Sequence, residues 1–247
     1  MTRLTSNAFS LFFTLVMALP APAYAKQSEI LIAAGEMPHL MSAKPEYSGA
    51  YNVLMQQVEK EIKQKFKLFY LPPGRAGQEF EKQHFDCLMP GQMSGMKEKN
   101  KRIASVSFNY ARAYIFNSVK QPAISTFEAL HGKVLATRRG FVYGNLEFDK
   151  EINRLEVNHI QQSIDMLKKK RIDAFVAYEP DIISILKNMP EPVVHRSNMV
   201  LHQQPEKIVC HRSEKTKAFV KAFNRSIKDL TRSGKLKEIL GTEEIAR

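Results

Sequence analysis

The 247-residue chain has no tryptophan and only two cysteines, Cys87 and Cys210. Cysteines that far apart lack the spacing of a zinc site and are too few for a disulfide framework. No HExxH, GxxxxGK[ST], GxSxG or CxxC stretch occurs. The metalloprotease, P-loop, α/β-hydrolase and dithiol chemistries that rest on those spacings therefore have no residues to carry them. Glu36 and Glu179 can be imagined as a carboxylate pair, but nothing in their spacing demands it. The seven histidines are dispersed, and His84, His131, His159 and His211 read as surface or helix-end residues. A non-enzymatic chain without cofactor or metal is the expectation.

Long apolar runs are also scarce. The one near the start, from Ala8 to Leu19, is about a dozen residues, short of the ~20 that span a bilayer. It follows Arg3, is broken by Pro20, and leads to Ala23-Tyr24-Ala25. A charged start, a short apolar run and small residues at a cleavage site make a secretory leader, removed before Lys26. No cysteine follows that site, so no lipid anchor is expected, and the remaining chain is expected free in the periplasm. Acidic residues are outnumbered, 25 against 37 Lys+Arg. Loss of the leader removes only Arg3, leaving 36 against 25, net +11. Such a balance often signals nucleic acid. Here the compartment argues against it, and the cations are spread over amphipathic helices (Lys60, Lys63, Lys65; Lys168, Lys169, Lys170; Lys215, Lys217, Lys221). Solvated helix faces are the reading, with a weak attraction to anionic lipid or solutes left open.

What is present is an alternation of short apolar runs with helical patterns, the mark of an α/β sheet flanked by helices. Ile30–Ala34 reads as a strand ended by Gly35. Tyr51, Leu54, Met55, Val58 and Ile62 recur at helical spacing. A strand over Lys67–Leu71 stops at Pro72-Pro73-Gly74, a short helix runs from about Arg75 to Lys82, and a strand over Phe85–Met89 stops at Pro90-Gly91. A second unit follows: strands over Ala113–Val119, Lys133–Thr137, near Leu155–Val157, and over Ile172–Ala177. Ser125 and Glu128 have capping-box spacing. Helices are expected near Tyr143, around Ile160–Leu167, and from Pro180. The chain then returns through a strand over Lys207–Cys210 and a helix capped by Ser213, with Phe219, Val220, Phe223, Ile227 and Leu230 on one face.

Four landmarks in this order resemble the family 3 periplasmic solute-binding proteins, which include amino-acid-binding components of ABC transporters. They are Phe85-Asp86-Cys87-Leu88-Met89-Pro90-Gly91 with Ser107-Phe108-Asn109-Tyr110 behind it, Phe127–Ala136, Ser163–Leu167 with Lys170–Val176, and the closing Asp229–Ile239. The resemblance implies a type II periplasmic-binding-protein-like fold: two α/β lobes with a ligand cleft between them. The implied lobes are 26–112, completed by 206–247, and 113–205. It also implies a monomer that catches a small solute, amino-acid-like or otherwise anionic or polar, for an inner-membrane ABC permease. A periplasmic sensor presenting its solute to a receptor kinase or cyclase is the alternative. Where the family's carboxylate-holding Arg falls, this chain has Asn100; where its ammonium-holding Asp falls, it has Tyr178. In the related topology the returning strand neighbours the third, so Cys87 and Cys210 can meet. Free thiols are the preferred reading, because cross-strand disulfides within a sheet are geometrically awkward.

Ligands of such sheets bind at the carboxyl ends of strands. The candidates are Glu36 and His39 after the first strand, Arg75 after the second, Gln92 after the third and Tyr110 at the crossover. In the second lobe they are Arg138, Arg139, Gly140, Tyr143, Tyr178 and Glu179. The two arginines, a glycine turn and a helix start behind them are expected to clamp an anionic group.

Overall fold

The computed structural model describes residues 29–241 apart from 38–39, 46–48, 94–95, 148 and 188. The expected leader and His39 lie outside the described residues.

The first lobe is built on β1 (Ile30–Gly35), with β2 (Phe66–Leu71) and β3 (Cys87–Gly91) parallel to it on either side. Ile30, Ile32 and Ala34 alternate into the core, as a strand's period of two requires. Over them pack Tyr51, Leu54, Met55 and Val58 of α1 (Ala50–Glu61). α2 (Pro73–Glu81) begins at the prolines that end β2 and buries Ala76 and Phe80. The chain's end supplies the rest of the core. α5 (Glu214–Arg232) contributes Phe219, Val220, Phe223, Ile227 and Leu230, and α6 (Lys235–Leu240) adds Leu236. Ser213 caps α5 as expected, its hydroxyl accepting from the Thr216 N–H.

In the second lobe β5 (Asn109–Ser118), β8 (Ala174–Tyr178), β6 (Val134–Arg138) and β7 (Asn153–Val157) lie side by side in that order. All five residues of β8 are buried, because apolar layers cover both faces of this sheet. α3 (Ile160–Lys168) and α4 (Glu179–Lys187) cover one of them.

One strand belongs to both lobes. β9 (Val194–His211) is 18 residues long. It runs antiparallel to β5 from Val194 opposite Ser118 to Glu206 opposite Asn109. It continues antiparallel to β3 and to the short β4 (Arg102–Ala104), so a single nine-stranded sheet passes through the whole molecule.

Several expectations change. Only the end of β9 was visible as an apolar run, since His202-Gln203-Gln204-Pro205-Glu206 is polar. The Ser125/Glu128 cap is not formed: Glu128–Leu130 is a single 3-10 turn, and it is Thr126 Oγ1 that accepts from the Ala129 N–H, at 3.3 Å. Gly132, at φ +73, and the start of β6 at Val134 leave no length for an α-helix there. The helix expected near Tyr143 is likewise a four-residue 3-10 turn, Gly144–Glu147. Cys87 and Cys210 form a disulfide, against the preference for free thiols. The register sets them directly opposite one another on β3 and β9, so no backbone movement is needed to join them. Among the described residues no helix is long and apolar enough to cross a membrane.

Candidate functional site

The three parallel strands of the first lobe end on the same side, each at a glycine or proline that turns the chain sharply. Gly35, Pro73 and Gly91 form one wall of a cleft of about 760 Å³. The ends of β6 and β8 supply the facing wall through Gly140, Phe141, Val142, Tyr178 and Asp181. The floor is the pair of crossing strands: Ala111 on β5, Gln204 and Glu206 on β9. The lobes meet backbone to backbone at the rim. Gly140 has φ +83, and a Cβ there would stand 2.7 Å from the Gly74 nitrogen and 2.8 Å from its Cα. Any larger residue would hold the lobes apart.

Glu81, Lys82, Lys97, Glu98 and Arg102 bring charge to one part of the cleft lining, and at the lobe junction the charges are those of Asp181, Glu206 and Arg138, which sits behind Asp181. Arg138 donates to Asp181 at 3.1 Å, with both side chains at most 10% exposed. The guanidinium also lies 4.5 Å over the ring of Phe141. Burial pushes the Asp181 carboxyl up, and Arg138 pulls it back. Glu206 is 6% exposed. Its Oε2 accepts from the Tyr51 hydroxyl and, at 2.9 Å, from Asn109 Nδ2. Burial pushes the Glu206 carboxyl up to about 7; its two donors oppose that, and the charge of Asp181 adds to it. The same burial, with Glu206 beside it, raises Tyr51 well above the usual phenol range. Among the described residues no cation pairs with Glu206, and neither its Oε1 nor Asp181 Oδ1 accepts a hydrogen bond. At the lobe junction there are thus two acids, one base, and two carboxylate oxygens without a donor.

The residues picked out from sequence divide. Gln92, Gly140 and Tyr178 line the cleft. Tyr143 is 1% exposed and stacks behind Tyr178, centroids 5.3 Å apart. Tyr178 spends its hydroxyl on the Val142 carbonyl at 2.6 Å, so it offers the cleft a ring. Arg138 is at the site but already neutralised by Asp181. Arg139 points outward to Glu156 at 3.1 Å, both more than half exposed. Glu179 pairs with Arg196, away from the cleft lining. Arg75 is exposed on the first turn of α2, and Glu36 accepts from Ser42 Oγ at 2.7 Å; neither lines the cleft. Tyr110 alternates with Ala111 on β5 and so faces the other side of the sheet. The anion clamp is therefore corrected: one arginine is paired, the other faces solvent, and no α-helix starts behind them. Reasoning from sequence missed Asp181, Glu206, Asn109, Phe141 and Gln204, and took Tyr51 for plain core. The available signals were an acid directly after the helix-starting Pro180 and an acid directly before an apolar strand.

No protein-family profile matches the chain, and no curated protein does. Solved structures do. The ligand-binding core of GluR0 from Nostoc punctiforme, in complex with L-glutamate, superposes with a TM-score of 0.70 at 18% identity, over 85% of this chain and 96% of that one. The chain has the type II periplasmic-binding fold. An arginine third transport system periplasmic binding protein from Legionella pneumophila gives 0.69 at 15% identity, over 86% and 98%. An amino-acid ABC transporter substrate-binding protein from Streptococcus pneumoniae, bound to L-arginine, gives 0.68 at 13%, over 86% and 93%. At such identities what is shared is the fold, and what this chain binds has to be argued from its own cleft.

Proposed function

We propose that this protein captures a small, amino-acid-like solute between its lobes and hands it to an inner-membrane ABC permease. It acts as a periplasmic monomer after loss of residues 1–25, and it does no chemistry on the solute. The lobes are read as 26–112 with 206–247, and 113–205. The observation that carries the ligand reading is the charge set at the lobe junction. Glu206 is itself nearly buried and has one oxygen without a donor and no cation, and an uncompensated charge there is costly. A ligand ammonium or other cationic nitrogen would take that oxygen together with Asp181 Oδ1, against the rings of Phe141 and Tyr178. A ligand carboxylate would find cations of the cleft lining in Lys82 and Lys97. The solved neighbours whose descriptions name L-glutamate or L-arginine support the same class.

Without tryptophan, intrinsic fluorescence reports binding poorly, so a thermal-shift screen is the first test. Amino acids, simple amines, dicarboxylates and sugar acids are compared on protein refolded to remove carried solute. A ligand at 100 times its Kd adds about 2.7 kcal/mol of stability. Zwitterions or amines are expected to stabilise, and Glu206→Gln to weaken them. Stabilisation by acids or neutral sugars alone, unchanged in Glu206→Gln, would end this reading, as would turnover of a bound compound.

A further inference from the structure

The cleft reaches well past the lobe junction. Its lining includes Pro73, Gly77 and Glu81, spaced four apart on one face of α2 and so about 12 Å from first to last. Leu88 and Pro90 of β3 line it too; they alternate with the core residues Cys87 and Met89 and so turn to the opposite face of the sheet. Met96, on the chain leading to β4, adds a third apolar side chain. This arm of the cleft is a trough beside α2, with a partly buried apolar lining. Gly77 stands half-way along it. Glycine weakens a helix interior, and no close neighbour requires one here: a Cβ on Gly77 would meet nothing within 4 Å. What the missing side chain leaves is room.

The two ends of the trough differ in charge. At the junction Glu206 and Asp181 each keep an oxygen without a donor. At the far end both acids are engaged, Glu81 with Arg102 at 2.9 Å and Glu98 with Lys101 at 2.5 Å. The lysines there are less committed. Lys82 shares an exposed contact with Glu79 at 3.1 Å, and Lys97 has no ion-pair partner among the described residues. An α-amino acid carries its ammonium and carboxylate on one carbon and cannot span such a separation. About ten non-hydrogen atoms, each given a whole water's share of about 30 Å³, would also fill only about 300 Å³ of a 760 Å³ cleft. An extended chain covers about 3.4 Å per residue, so 12 Å takes three to four residues. We propose that the preferred solute is a short peptide lying along α2, its free ammonium at Glu206 and Asp181 and its carboxylate at Lys97 and Lys82. Its uncharged middle lies against Leu88, Pro90 and Met96. The proposal rests on the reading of the junction as a seat for a cationic nitrogen, and it extends that seat into a longer site.

Titration calorimetry on refolded protein tests this with alanine, its dimer to pentamer, and the peptide Ala-Leu-Leu-Ala. Affinity should climb from alanine to the trimer or tetramer by about tenfold or more and then level off. Gly77→Leu fills the trough one helical turn, about 6 Å, from the junction. It should melt no lower than the parent, since leucine is the better helix former. It should weaken the tetramer about tenfold and leave alanine unchanged. The tetramer's C-terminal amide should bind the parent about two- to fivefold less tightly than the free acid, the worth of an exposed ion pair. Lys97→Glu should abolish that preference. Glu206→Gln tests the junction separately and should weaken alanine and tetramer alike. Amino acids that bind as tightly as any peptide, with Gly77→Leu indifferent to length, would overturn the peptide proposal and leave the junction standing. Tetramer binding unchanged by Gly77→Leu would overturn it too. A parent that binds no member of the series would overturn both.

Discussion

The two lobes repeat one architecture and are held together by different means. The first has a single large core shared by the start and the end of the chain, closed by a disulfide between β3 and β9. The second is a continuous stretch with two smaller cores, one on each face of its sheet, and no covalent tie. Its nearly buried ion pair, Arg138–Asp181, stands at the cleft. The comparison teaches a division of labour: one lobe is a stapled frame, and the other brings a nearly buried ion pair to the cleft. The shared strand β9 serves both, supplying Cys210 to the staple and Glu206 to the site.

The largest expected effect breaks the staple. Cys87 and Cys210 are 123 residues apart, and the whole second lobe lies inside the loop they close. Replacing both by alanine should cost about 4–5 kcal/mol by the loop-closure argument, read from urea unfolding. Denatured, unreduced parent should show no reactive thiol. A double variant as stable as the parent would mean that the frame does not depend on its tie. Next comes the charge of the second lobe. Arg138→Leu leaves the nearly buried Asp181 without its cation and should cost about 3–5 kcal/mol, while Arg138→Leu with Asp181→Leu should recover most of it. A double variant no better than the single would show that the guanidinium matters mainly for its packing on Phe141.

Glu206 sharpens the comparison at the seam. Its folded pKa, about 7, lies above the ordinary 4.5, so the folded protein binds this proton more tightly than the unfolded chain. The stability it contributes is complete below about pH 4.5 and is lost as pH rises through about 7. The loss is on the order of 3 kcal/mol. Unliganded Glu206→Gln should lack this slope and be the more stable protein at pH 8, since a glutamine oxygen can still accept from Tyr51 and Asn109. A cationic ligand reverses the advantage, so parent affinity should climb from pH 6 to 8 and the variant's should stay flat. Parallel pH profiles for parent and variant would remove Glu206 from the site.

The fold was readable because apolar runs and Pro/Gly stops coincide: Ile30–Ala34 before Gly35, and the β2 strand before Pro72-Pro73-Gly74. The site was less so, for a physical reason. Polar residues just after strand ends stand out in a sequence, and Arg139 and Glu179 are of that kind, yet both pair away from the cleft. The groups the structure gathers are polar residues inside regular elements. Asp181 sits in the first turn of α4, Asn109 begins β5, and Glu206 lies in the polar middle of β9. Local pattern cannot show that a strand continues through a polar stretch when its partner is a distant strand. Nor can it show that Tyr51, on a helix of the first lobe, reaches Glu206 155 residues away.

The smallest stability effect is the most direct test of how the lobes meet. Gly140 and Gly132 both belong to the second lobe and both have positive φ, at +83 and +73. Alanine at either pays the left-handed penalty, roughly 1–2 kcal/mol. They differ in what the new methyl meets. At Gly132 there is nothing within 4 Å, whereas at Gly140 the backbone of Gly74 on the other lobe is 2.7 Å away. Backbone cannot swing aside as a side chain can, so Gly140→Ala has to part the lobes by a few tenths of an ångström or more. Both variants should melt slightly below the parent. Only Gly140→Ala should also bind ligand more weakly and resist the compaction that ligand gives the parent in small-angle scattering. If Gly132→Ala loses affinity equally, the loss is the strain of the second lobe alone. If neither variant loses affinity, the Gly74–Gly140 contact is incidental to capture.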